Sequence, residues 1–127
     1  MLLAIDFDST IAFSDWPKIG PLVPGALESL RKLREEGHHI TIWSARNNKQ
    51  WGVAEKRRGM RAMRHFLDDN SVPYDHIDDG AHGKPVADLF VDDRNLGTPL
   101  VYLKGDWVVD WDKAYRMLQS LSRRDTG

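Results

Sequence analysis

At 127 residues the chain has the length of one domain, enough to bury about two thirds of the surface its unfolded form exposes, and a second domain is not expected. Its 18 Lys and Arg nearly balance its 19 Asp and Glu, so no overall field demands a nucleic acid or a charged membrane as partner. The absence of cysteine removes disulfides and thiolate metal sites, leaves oxygen ligands as the main metal chemistry and suits a reducing compartment. The apolar run at the N-terminus is too short for a signal peptide and lacks its basic flank. No segment approaches the length of a membrane span, so a cytoplasmic protein is expected.

The first ten residues organise the rest. Apolar residues Leu2 to Ile5 run into Asp6, Asp8 follows, and Ser9-Thr10 closes the run, which predicts a buried strand ending in a reactive loop. Past the strand end the backbone turns, so Asp6 and Asp8 are expected to share one crevice while Phe7 turns back to the core. Two carboxylates there repel by about 4 kcal/mol at a separation of roughly 4 Å and an effective dielectric near 20. The arrangement requires a cation, a proton or a lysine.

Residues 11 to 23 hold two prolines, a glycine and two aromatics without a helical or strand period, and are read as a short flap over the crevice. Phe13 and Trp16 within it either close over a substrate or pin the loop to the core. Pro24, placed at a first helical position, and Gly25 open a helix with an apolar stripe of Ala26, Leu27, Leu30 and Leu33, terminated at Gly37. A second strand follows from His38 to Trp43, parallel to the first by the right-handed crossover rule. Its two histidines are adjacent, face opposite ways and do not chelate one ion together.

Ser44, Ala45 and Arg46 lie just beyond the second strand, where open α/β sheets bind ligands, and the planar guanidinium of Arg46 suits a bidentate grip on phosphate. Asn47 and Asn48 are further candidates there. A second helix is predicted from about Val53 to Asp69. Met60, Met63, Phe66 and Leu67 fall on its core face and Arg57, Arg58, Arg61 and Arg64 on the other side, while Gly59 makes a break or kink possible. Val72 to Ile77 gives a short third strand and Ala87 to Val91 a buried fourth. Lys84 precedes that fourth strand, Asp88 is a strand-start residue, and Asp92-Asp93 closes the strand. Pro99 to Leu103 is predicted as a fifth strand and Lys104 to Asp106 as a turn. Asp110 caps a final helix with apolar face Trp111, Ala114, Leu118 and Leu121, frayed from Arg123 onward.

These motifs, in this order, resemble the haloacid dehalogenase-like superfamily, whose members are mostly magnesium-dependent phosphatases. Asp6-Phe7-Asp8-Ser9-Thr10 is similar to its first motif, with Ser9 where many members carry Gly. Ser44 is similar to the second, Lys84 to the third and Asp92-Asp93 to the fourth. A phosphorelay receiver domain would place the lysine after its last core strand and the acceptor aspartate after the third, unlike this chain. The resemblance implies a three-layer Rossmann-like parallel sheet of order 5-4-1-2-3 with helices on both faces and a minimal cap.

It also implies the chemistry. Asp6 would be the nucleophile forming an aspartyl-phosphate, Asp8 the general acid and base, and Lys84 a stabiliser of phosphoryl charge. Ser44, Ala45, Arg46 and Lys84 would bind the phosphate. Mg²⁺ would be held by Asp6, the Asp8 backbone carbonyl and Asp92, with Asp93 acting through water or orienting Lys84. The expected partner is a phosphorylated substrate. The alternative is a noncatalytic phosphate- or nucleic-acid-binding module of the same fold, contacting nucleic acid through Arg57, Arg61 and Arg64. Trp16, Trp43 and Trp51 lie near the presumed active-end loops and are candidates for base stacking or for structural packing.

Overall fold

A computed structural model describes residues 1–47 and 51–126. It is an α/β protein with three α-helices and a four-stranded parallel sheet. The sheet is built from β1 (Leu2–Asp6), β4 (His39–Trp43), β5 (His76–Ile77) and β6 (Leu89–Val91), in the order β5-β4-β1-β6. All three strand pairs are parallel, with Leu3 opposite both Ile40 and Leu89. The expected order is reproduced for the first four sheet strands and departs from it at the fifth.

That departure has a local cause. The segment expected as an edge strand forms β7 (Leu100–Leu103) and pairs antiparallel with β8 (Asp106–Val109), outside the main sheet. Lys104 and Gly105 join them with φ of 49° and 82°. Two consecutive positive φ values make the tight turn whose twist matches a hairpin, and glycine accommodates the second one freely. Every residue of β7 has its pairing partner in β8, from Leu100 opposite Val109 to Leu103 opposite Asp106. The hairpin instead reaches the first loop: Val109 N–H donates to Ser9 O at 3.0 Å, and Asp106 accepts from the Ser9 hydroxyl at 2.9 Å.

In the central strand Leu3, Ala4 and Ile5 are all buried. Successive strand residues face opposite sides, so both faces of the sheet are covered, as the unbroken apolar run requires. Around them pack Ile40, Ile42, Leu30, Leu33, Met63, Leu67 and Trp111. Helix α1 (Ala26–Glu35) is capped by Gly25, which places Pro24 outside the helix, before the cap. Helix α1 packs against α3 (Trp111–Thr126). The latter runs on past Arg123, where fraying was expected.

Helix α2 (Val53–Asp69) is continuous through Gly59. A Cβ there would sit 3.4 Å from the Arg46 carbonyl oxygen, so glycine marks the point where α2 approaches the turn Ala45–Asn47. The two histidines separate as expected. His38 is buried with Nδ1 2.9 Å from the Met1 amino group, and His39 is exposed beside Asp75. Burial lowers the His38 pKa first, and the Met1 ammonium adds to the effect.

Candidate active site

Parallel strands deliver side chains to one edge, and the carboxyl ends of β1 and β6 bring Asp6, Asp92 and Asp93 together. One carboxylate oxygen from each lies within 4.8 Å of the others. Asp6 and Asp93 are hydrogen-bonded, and Thr10 Oγ1 also donates to Asp6 Oδ2 at 3.2 Å. Burial first, then the bond to Asp93 and the charge of Asp92, push the Asp6 pKa from its ordinary 3.8 up to about 9, with the Phe7 N–H opposing. Asp93 is raised too, chiefly by burial. Such a cluster cannot be fully ionised without a positive charge among the carboxylates. Three hard oxygen donors, without histidine or cysteine, fit a hard divalent cation of the Mg²⁺ kind.

The loop after β1 is rigid. Phe7 O accepts from the N–H groups of Thr10, Ile11 and Ala12, and the Trp111 indole N–H donates to Thr10 O at 2.6 Å. Ser9 has φ 60°, a left-handed conformation costing a non-glycine residue roughly 1–2 kcal/mol. Here the Ser9 hydroxyl bond to Asp106 offsets part of the cost.

Asp8 stands outside the acid cluster. Arg46 holds it in a two-point fork, Nε to Oδ2 and Nη2 to Oδ1, each at 2.8 Å. The same guanidinium donates to Pro17 O at 3.0 Å and Lys18 O at 2.7 Å, and lies 4.9 Å from the Trp16 ring centre. Pro17 and Lys18 belong to the flap, which is a hairpin of β2 (Ala12–Asp15) and β3 (Lys18–Leu22) with a cis peptide between Trp16 and Pro17. Arg46 therefore joins Asp8 to the flap. The guanidinium lies at the expected sheet edge, and the anion it holds in this structure is the Asp8 carboxylate.

The Ser44 Oγ accepts the Arg46 backbone N–H at 3.1 Å, the turn-capping contact common after strands, and still borders the cleft. Ala45 also borders it, and its carbonyl accepts the Trp51 indole N–H at 3.0 Å. Lys84 Nζ rests 4.1 Å from the Phe90 ring centre and 5.6 Å from that of Trp43, and among the described residues it pairs with no carboxylate. Of the two roles expected for Asp93, acting through water or orienting Lys84, the second is not accompanied by an ion pair between the two. Asp88 is the strand-start residue anticipated, accepting the Leu2 N–H at 2.7 Å. Asn48 lies outside the described residues.

One cleft of about 620 Å³ takes in Asp6, Asp8, Ser44, Ala45, Arg46, Lys84, Asp92 and Asp93 together. Arg94, Trp16 and Trp51 also line it. Of the flap aromatics, Phe13 is buried in the core and Trp16 is exposed. Arg94 had only its position after Asp92-Asp93 as a signal. Asp106, which ties the flap to β8 through Ser9 and the Ser14 N–H, had none. Arg57, Arg58, Arg61 and Arg64 are exposed on α2.

No family profile and no curated protein matches the chain. Among solved structures, a conserved protein from Bacteroides thetaiotaomicron is 28% identical with a TM-score of 0.66, covering 94% of this chain and 90% of its own. A protein from Vibrio cholerae is 27% identical with a TM-score of 0.51, covering 75% of this chain and 81% of its own. The chain is thus similar in fold to these two solved proteins.

Proposed function

We propose that the chain is a small Mg²⁺-dependent phosphomonoester hydrolase of the haloacid dehalogenase-like kind, with a Rossmann-like layered sheet and the β2–β3 hairpin as its only cover among the described residues. The observation that carries the reading is the convergence of Asp6, Asp92 and Asp93 at one sheet edge, in the same cleft as Asp8, Ser44 and Lys84. A cation held by Asp6, Asp92 and Asp93 would supply the positive charge that a phosphate dianion needs in order to approach three carboxylates.

The protein's own groups divide the remaining work. Asp6 is the nucleophile, attacking phosphorus in line to give an aspartyl-phosphate and expelling the alcohol. Asp8, entering the first step protonated on a lone pair that the Arg46 fork does not use, gives that alcohol its proton and then takes one from the water that releases phosphate. Arg46 fixes the orientation of the Asp8 carboxylate, acting on the reaction through it. Lys84, whose ammonium pairs with no carboxylate among the described residues, neutralises charge on the transferred group, and the Ser44 hydroxyl donates to a phosphate oxygen. A reducing, magnesium-rich compartment such as the cytoplasm suits this chemistry.

The test is phosphate release from p-nitrophenyl phosphate with Mg²⁺ or with EDTA. Metal-dependent release, lost in an Asp6→Asn variant that still folds, is the expected result. Equal release by that variant removes Asp6 as nucleophile.

A further inference from the structure

The cleft is far roomier than a phosphoryl group requires, since volumes of roughly 300–1,000 Å³ accommodate whole small-molecule ligands. Part of its lining is aromatic. Trp16 and Trp51 stack with ring centres 5.6 Å apart and planes 27° from parallel. The Trp51 indole is held by the Ala45 carbonyl, and the Trp16 ring by the Arg46 guanidinium. The two rings are fixed from elements that also carry the phosphate site, yet they remain 55% and 41% exposed.

Trp111 is 1% exposed, with its indole N–H satisfied by Thr10. Exposure alone does not set the pair apart, since Trp107 is also exposed and lies against Tyr102 on the β7–β8 hairpin; what separates Trp16 and Trp51 is that they line the cleft. Trp16 and Trp51 leave apolar ring surface in water inside the cleft, oriented and unused by the fold.

We infer that the Trp16–Trp51 pair is a stacking platform for a planar aromatic group attached to the phosphate ester, which makes the ligand class aromatic phosphate monoesters, nucleotides among them, in preference to aliphatic polyol phosphates. The word substrate rests on the phosphatase reading, whereas the platform itself does not. Stacking is tolerant of ring identity because every planar base offers a π face, and truncating an aromatic partner typically costs a factor of roughly ten or more.

The experiment compares adenosine 5′-monophosphate, ribose 5-phosphate and benzyl phosphate. The first two share a primary alcohol leaving group and differ by the base. In the wild-type protein with Mg²⁺, kcat/KM for the nucleotide is expected to exceed that for ribose 5-phosphate by roughly tenfold, mainly through KM. Trp51→Ala, with Trp51→Leu as a second variant should the first unfold, should bring that ratio to within about threefold. Trp107→Ala, exposed and outside the cleft, should leave it standing. A gain shared by benzyl phosphate assigns any aromatic ring, and a gain confined to the nucleotide assigns the nucleobase. If nothing is hydrolysed, calorimetric binding of the same compounds to Asp6→Asn separates the two ideas: preference for the nucleotide keeps the platform while the phosphatase reading fails. Ribose 5-phosphate handled or bound as well as the nucleotide, or an equal loss for both in the Trp51 variants, overturns the platform.

Discussion

Asp6 and Asp8 are two residues apart and lie in opposite surroundings. Asp6 sits among carboxylates, its pKa pushed up to about 9 by burial and by Asp93 and Asp92. Asp8 is gripped by a buried guanidinium at two points. The flap side of the cleft therefore balances its own charge, whereas the sheet edge is built with a deficit that an added cation would fill. Within one loop, the self-sufficient aspartate is held in a fixed orientation by its partner, whereas the unbalanced one fits a group that works only when loaded.

Breaking the two halves separately should give opposite signatures. The largest effect is expected for Asp6→Asn, which should lower turnover of an aryl phosphate by roughly 10⁴-fold while raising metal-free stability near neutral pH, since it removes a carboxylate from the cluster. Steady-state kinetics and urea denaturation with EDTA check both parts. Arg46→Ala should do the reverse to stability. It strands Asp8 and the Pro17 and Lys18 carbonyls, and should cost about 3 kcal/mol, read as a shift in the urea midpoint. Arg46→Lys should recover the charge but lose the fork, and so recover only part of that stability.

A pH series sharpens the contrast further. The folded pKa of Asp6 lies above its unfolded value, so its contribution is fully present below pH about 4 and is lost as pH rises toward about 9. Without metal, stability should fall across that window, with Asp93 adding in the same direction. Saturating Mg²⁺, which favours the ionised carboxylates, should flatten the fall, as should Asp6→Asn. Thermal melts at fixed ionic strength would show it. The smallest effect belongs to Ser9→Ala, which keeps the left-handed backbone and loses the bond to Asp106. About 1 kcal/mol of destabilisation is expected by urea melt.

How much of this was legible in the chain depends on how local each feature is. The apolar runs at 2–5 and 39–43 and the acids behind strands one and four predicted the sheet edge, because strand burial and the end of a strand are both written in consecutive residues. The limits of α2 were readable for the same reason. The β7–β8 hairpin was missed because Trp107–Val109 reads equally well as a lead into the last helix, and its pairing is decided by a two-residue turn with both φ positive. Arg46 was expected at this sheet edge as an anion-binding group, and only the fold reveals that Asp8 is near enough to be one such anion. Gly59 looked like a weak point in a helix and is where α2 meets the Arg46 backbone. The Trp51 bond to Ala45 and the role of Asp106 rest on chain approaches with no local signal.

The central claim is that Asp6 attacks phosphorus, and it can be observed directly. An Asp8→Asn variant, impaired in activating water, is mixed with p-nitrophenyl phosphate and Mg²⁺, quenched in acid and digested for mass spectrometry. A phosphoryl group on the peptide carrying Asp6, absent when EDTA replaces Mg²⁺, is the predicted result. Nitrophenol release with that peptide unmodified at every quench time would contradict it.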